Sequence, residues 1–181
     1  GARSKLAMPL IKHYKKQNYK IALLSKNILT IEDNSIKIYK IDLEHFVDID
    51  FKPDLIIHLA SYVPYNFDEP LDDYEIYNNN VMSCTKILEF AVRSSVKHFC
   101  LISSIDVYGE KHLNKNTKVI SENDTCLPDN IYGLSKLACE KIAFTFSFLH
   151  KLNVSIVRLG PIVGPNMNKK LTIYRMIDNL V

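Results

Sequence analysis

Tyr132 and Lys136 stand four residues apart in the run Tyr132-Gly133-Leu134-Ser135-Lys136, downstream of the run Ser103 to Gly109. On a helix that spacing puts a phenol and an ammonium on one face, one turn apart. The ammonium favours the phenolate and turns a weak acid into a usable base near neutral pH. A serine at the end of the upstream strand would hold a substrate hydroxyl or carbonyl against that phenol. The three groups together suit hydride transfer on a nicotinamide cofactor. Taken alone the Tyr/Lys pair says little, because a surface helix with an exposed lysine has the same spacing. Its context decides.

That context is an alternation of short apolar runs and longer helical patterns. Strands are expected at Lys20 to Leu24, Ile36 to Ile41, Asp54 to Leu59, His98 to Ile102 and Val154 to Arg158. Helices are expected near Ala7 to Gln17, Tyr77 to Ser94 and Tyr132 to Lys151. Such alternation predicts a parallel sheet with helices on both faces, the doubly wound α/β architecture. Leu55-Ile56-Ile57 is apolar throughout, as a central strand covered on both sides requires. Ligands of open parallel sheets bind beyond the carboxyl ends of the strands. Ser61, Ser104 and Pro161 each follow such an end, so separate loops converge on one crevice with Tyr132 opposite.

Composition narrows the class. The 181 residues are one domain's worth of chain, and 47% apolar with 24% charged residues is ordinary for a globular protein. A net charge of +3 spread over scattered lysines gives no reason to expect nucleic acid, and Lys12, Lys15 and Lys16 read as one solvated helix face. The four cysteines show no CxxC spacing and no close grouping with histidine, so reduced thiols are expected and no metal site. No apolar run is long enough to span a bilayer, and a cytoplasmic location is expected. The last helix carries Leu137, Ile142, Phe144, Phe146, Phe148 and Leu149 and leaves little polar surface, which predicts burial on two sides. A homodimer through the Tyr77–Ser94 and Tyr132–Lys151 helices would supply the second side. Gly1 is not a start residue, so a fragment of a longer domain is expected.

Five blocks in order resemble the extended short-chain dehydrogenase/reductase family, the NAD(P)-dependent nucleotide-sugar epimerases, dehydratases and reductases. His58-Leu59-Ala60-Ser61 is similar to its H-L-A-A, and Asn80 to Cys84 to its N-V-x-G-T. Ser103 to Gly109 matches S-S-x-x-V-Y-G, and Glu122 to Lys136 matches E-x-x-x-x-x-P-x-x-x-Y-G-x-S-K. Arg158 to Pro165 resembles R-x-x-x-V-Y-G-P. The resemblance implies a Rossmann-like fold, with the first strand and the C-terminal substrate domain lying outside residues 1–181. It implies Ser104 as the catalytic hydroxyl, Tyr132 as the acid/base, and Lys136 as holder of the nicotinamide ribose. Leu59, Ala60, Asn80 and Pro161 would line the cofactor, with Asp42 and Leu43 on the adenine side. A (nucleotide-)sugar would be the substrate. His58 reads as a structural strand residue.

Departures from the family pattern matter. Where the family has G-x-x-G-x-x-G, this chain has Gly1 to Ala7, with Ser4 and Ala7 in place of two glycines. Both are small, so a helix N-terminus remains able to receive phosphate. After the second family strand no acid follows Leu24; Ser25 and Lys26 would accept a 2′-phosphate, which favours NADP(H) within NAD(P). The dehydratase Thr-Asp-Glu run is Ser104-Ile105-Asp106 here, which ranks epimerase or reductase above dehydratase. Gly160 stands where many sugar epimerases have Asn. The alternatives are a non-catalytic NAD(P)-binding regulatory relative, which the altered loop favours, or a degenerate piece that does not fold alone.

Overall fold

The computed structural model describes residues 1–2, 4–27, 29, 31, 33–63, 72–109 and 119–162. Five strands are formed: β1 Ile21–Ser25, β2 Ile36–Lys40, β3 Leu55–His58, β4 His98–Ser104 and β5 Val154–Leu159. Three α-helices accompany them: α1 Ala7–Lys16, α2 Asp73–Arg93 and α3 Ile131–His150. All strand pairs are parallel, β1 with β2 and β3 with β4 with β5. Leu23 packs with Ala7 and Ile11 of α1, whereas its neighbour Leu24 packs against the α2–α3 core. Successive strand residues therefore meet helices on opposite faces, and the fold is the Rossmann-like doubly wound sheet. Phe99 and Leu101 of β4, both fully buried, form the centre of the core with Cys84, Leu88 and Ala143.

The sheet is parted. β1 pairs only with β2, and β3 only with β4, so each presents an unpaired edge among the described residues. Both edges border one cavity of about 870 Å³, lined by Ile21, Leu23, Leu55 and Ile57 from the strands and by Ile11 and Phe90 from the helices. The gap is apolar and strand-like in its walls.

Two boundaries differ from expectation, each for a local reason. α2 starts at Asp73 rather than near Tyr77, because Asp72 caps it: its Oδ1 accepts the Glu75 N–H at 3.1 Å. Asp73 and Glu75 then complement the positive end of the helix. β4 continues through Ser103 and Ser104, which pair with Arg158 and Leu159 of β5. α3 is not buried on two sides by its apolar residues. Its buried face holds Gly133, Ser135, Lys136, Cys139, Glu140 and Ala143, while Phe144, Phe148 and Leu149 are 69%, 74% and 62% exposed. The Val163-Gly164-Pro165 end of the last motif lies outside the described residues, as do residues 110–118 of the loop that follows Gly109.

Candidate active site

Ser104, Tyr132 and Lys136 reach the site on different elements. Ser104 ends β4 and caps the 3-10 turn Ile105–Tyr108, its Oγ accepting the Asp106 N–H at 3.2 Å. Tyr132 lies in the first turn of α3, which Asn130 caps through its Oδ1 on the Gly133 N–H at 2.7 Å. Gly133 brings the two together. A Cβ there would stand 2.5 Å from the Asp106 carbonyl oxygen, so only a glycine lets α3 lie this close to the turn after Ser104. Lys136, one helical turn on, is 4% exposed. Burial lowers its pKa, while the thiols of Cys139 and Cys84 and the Glu140 carboxylate hold it up. This buried amine lies one helical turn from the Tyr132 phenol. Asp106 sits beside Ser104 with its carboxyl pKa raised by burial, against the hydrogen bond from Ser104.

The residues expected to hold a dinucleotide fall at the neighbouring strand ends. Gly1 packs on the end of β3, where a Cβ would stand 2.4 Å from Ala60 N and Leu59 C. Gly1, Ala7, Leu43, Leu59 and Ala60 border the same cavity. Ser4 precedes α1, and its Oγ is, among the described residues, the buried side-chain polar atom left without a hydrogen-bond partner. An orphaned hydroxyl, a backbone approach that excludes Cβ and a helix N-terminus together fit a phosphate-bearing cofactor. His58 at the end of β3 is pushed down to about 3, chiefly by burial, with the Lys136 ammonium adding to the effect. Pro161 follows β5 and is exposed.

Three expected ligand residues have partners of their own. Lys26 Nζ lies 2.9 Å from Asp42 Oδ2, so the ammonium expected to meet a 2′-phosphate already has a carboxylate. The buried Ser25 Oγ accepts the Asn27 N–H at 3.3 Å. Asn80, expected to line the cofactor, lies at the end of the second turn of α2, 3% exposed. Its Oδ1 accepts the Tyr62 N–H at 2.6 Å and the Ser61 hydroxyl at 3.3 Å, and its Nδ2 donates to Tyr62 O at 3.1 Å and Ser135 Oγ at 2.9 Å. With the side-chain amide fully used, Asn80 ties the segment after β3 to α3 rather than offering itself to a ligand.

Sequence reasoning missed one cluster. Glu140 Oε1 accepts from Ser103 Oγ at 2.6 Å and from Arg158 Nε at 3.0 Å, and Oε2 accepts from Arg158 Nη2 at 2.7 Å. Arg158 Nη1 donates to Tyr108 Oη at 2.6 Å and to the Glu122 carbonyl at 3.0 Å. The available signal was two ionisable residues in otherwise apolar stretches, Glu140 in α3 and Arg158 in β5.

A parallel α/β sheet with helices packed on both faces defines a Rossmann-like protein. The chain belongs to the NAD dependent epimerase/dehydratase family, whose family model matches residues 3–181. It is 30% identical to a dTDP-D-glucose 4,6-dehydratase of Dictyostelium discoideum, over 98% of this chain and 45% of that protein. It is 26% identical to an uncharacterized UDP-glucose epimerase of Bacillus subtilis, over 90% of this chain and 48% of that one. The chain thus spans about half the length of these relatives. The fold matches a UDP-glucuronic acid 4-epimerase from Bacillus cereus, solved with UDP-glucuronic acid and NAD, at a TM-score of 0.80 and 19% identity. That match covers 99% of this chain and 61% of the other.

Proposed function

We propose that this chain carries the cofactor and catalytic half of an NAD-dependent epimerase or reductase acting on a nucleotide sugar. The observation that carries the reading is the buried Lys136, one turn from Tyr132 on a helix pressed by Gly133 against the turn that Ser104 caps. Tyr132 takes the proton from a sugar hydroxyl, and Ser104 orients that hydroxyl. Lys136 holds the cofactor ribose and favours the phenolate. NAD, when bound, accepts the hydride from the carbon bearing that hydroxyl. Gly1, Ser4 and Ala7 would receive its pyrophosphate and Leu59 and Ala60 its flank, with Pro161 across the crevice. Ser25, Lys26, Asp42 and Leu43 would border the adenosine, and the Lys26–Asp42 pair favours NAD over the NADP first expected. The unpaired thiols of all four cysteines fit a reducing, cytosolic setting.

The test is cofactor binding and turnover on one preparation. Calorimetry should register NAD⁺ more tightly than NADP⁺, and UDP-glucose or UDP-glucuronic acid should reduce bound NAD⁺ at 340 nm. Tyr132→Phe should retain NAD⁺ affinity and lose turnover by about 10²-fold or more. Binding without turnover by the parent chain would favour the non-catalytic reading, which rests on Ser4 and Ala7 in the phosphate loop.

A further inference from the structure

Ser103 is the half of the Ser103–Ser104 pair that the proposed chemistry leaves idle. It is 3% exposed, and its hydroxyl donates to Glu140 at 2.6 Å. Side chains alternate along a strand, so Ser103 is tied inward while Ser104 is left to the strand end. Glu140 lies one helical turn after Lys136 and two after Tyr132 on α3. Its two oxygens are shared between Ser103 of β4 and the Arg158 guanidinium of β5. Arg158 reaches on to Tyr108 at the end of the turn that Ser104 caps, with its guanidinium carbon 4.9 Å from the ring centroid. One carboxylate thus joins β4, β5, the 3-10 turn and α3, the four elements that border Ser104 and Tyr132.

We propose that Ser103, Glu140 and Arg158 are positioning residues that hold Ser104 in register with Tyr132. None of the three has to touch substrate or cofactor. A buried ion pair adds little net stability, because desolvating both charges offsets their attraction. What it does supply is direction. The bidentate Arg158–Glu140 contact fixes the carboxylate plane, and the short bond from Ser103 then fixes the end of β4 along the α3 axis. Without that bond, Ser104 is located, among the described residues, by its hydrogen bonds with Asp106 and by the β5 ladder. The proposal rests on the catalytic reading of Ser104 and Tyr132.

The test follows the Tyr132 phenol by NMR of tyrosine labelled with ¹³C at Cζ, with Tyr132→Phe assigning its resonance. No substrate is needed. A hydroxyl hydrogen-bonding to the phenolate lowers the titration midpoint, so Ser104→Ala should raise it. Ser103→Ala leaves the Arg158–Glu140 pair whole and should keep the melting temperature near that of the parent chain. It should still raise the Tyr132 midpoint by about one pH unit. Ser103→Thr, which keeps the hydroxyl, should restore it. In a Ser104→Ala background Ser103→Ala should add nothing, because the two act through one contact. Glu140→Asp keeps the charge, shortens the reach to Ser103, and should behave like Ser103→Ala. An unmoved midpoint in Ser103→Ala, an equal rise in both backgrounds, or no restoration by threonine overturns the positioning role. Should Ser104→Ala itself leave the midpoint unmoved, the catalytic reading fails and the positioning role goes with it.

Discussion

His58 shows how one buried side chain reports on its surroundings. Its imidazole is 5% exposed, stacks on Phe99 and lies near the Lys136 ammonium. Burial chiefly, and that charge secondarily, depress it to about 3, against an unfolded value near 6.5. The folded chain therefore keeps His58 neutral where the unfolded chain protonates it. The stability His58 permits is fully present above about pH 6.5 and is lost as pH falls from there towards 3, at up to about 1.4 kcal/mol per pH unit. Urea titrations between pH 7 and 4 should show that slope, and His58→Leu should flatten it. A slope equal in both proteins would mean that other groups set the acid limit. The same neighbourhood makes Lys136 an amine buried against its preference, the condition under which an ammonium acts strongly on a phenol one turn away.

At the level of the element, α3 departs from the usual pattern of a helix: its buried stripe is made of small residues with Lys136 and Glu140, and Phe144 and Phe148 face out while Phe146 packs on the core. Gly133 makes that stripe work. By helix propensity alone Gly133→Ala should stabilise an α-helix by about 1 kcal/mol. Here the added Cβ would stand 2.5 Å from the Asp106 carbonyl and 3.1 Å from Pro128 Cβ. The expected outcome is the opposite sign, a lower melting temperature and weaker turnover, measured by thermal unfolding and the 340 nm assay. A rise in melting temperature would show that α3 can move away from the turn. The strands were legible because Leu55-Ile56-Ile57 and Phe99 to Ile102 are apolar runs of strand length. The α2 start was missed because Asp73-Tyr74-Glu75 has no apolar stripe, and its cap depends on a carboxylate reaching Glu75 N. The end of β4 was missed because Ser103 and Ser104 read as loop residues; in the structure Ser103 is satisfied by Glu140, 37 positions away. Partners that distant leave no local pattern. The Asn80 bonds were not legible for the same reason, since its Ser135 partner lies on another helix.

At the scale of the whole molecule two surfaces are unfinished. The first is the outer face of α3, where Phe144 and Phe148 are exposed beside α2 residues such as Met82, which is 38% exposed. If two copies meet there, light scattering should give twice the 20.8 kDa chain mass, and Phe148→Glu should return the monomer. The second is the gap between β1 and β3. Each wall is a parallel strand edge whose N–H and C=O groups have no ladder partner across the cavity, and such groups are costly to leave unmatched. A parallel strand spans about 3.3 Å per residue, so five or six Val and Ile residues joined ahead of Gly1 would run the length of β1 and β3. They would complete both ladders and cover Ile21, Leu23, Leu55 and Ile57. Burial of such side chains contributes roughly 2 kcal/mol each, against roughly 1–2 kcal/mol per residue of backbone ordering. The newly paired ladder bonds tip that near-balance towards the longer chain. The expected result is a higher melting temperature and slower hydrogen exchange at β1 and β3 amides, with β5 amides unchanged. NAD⁺ affinity should rise too, because the inserted strand would anchor Gly1 and Ser4 ahead of α1. Unchanged exchange at both edges would mean that the gap closes by collapse of its walls.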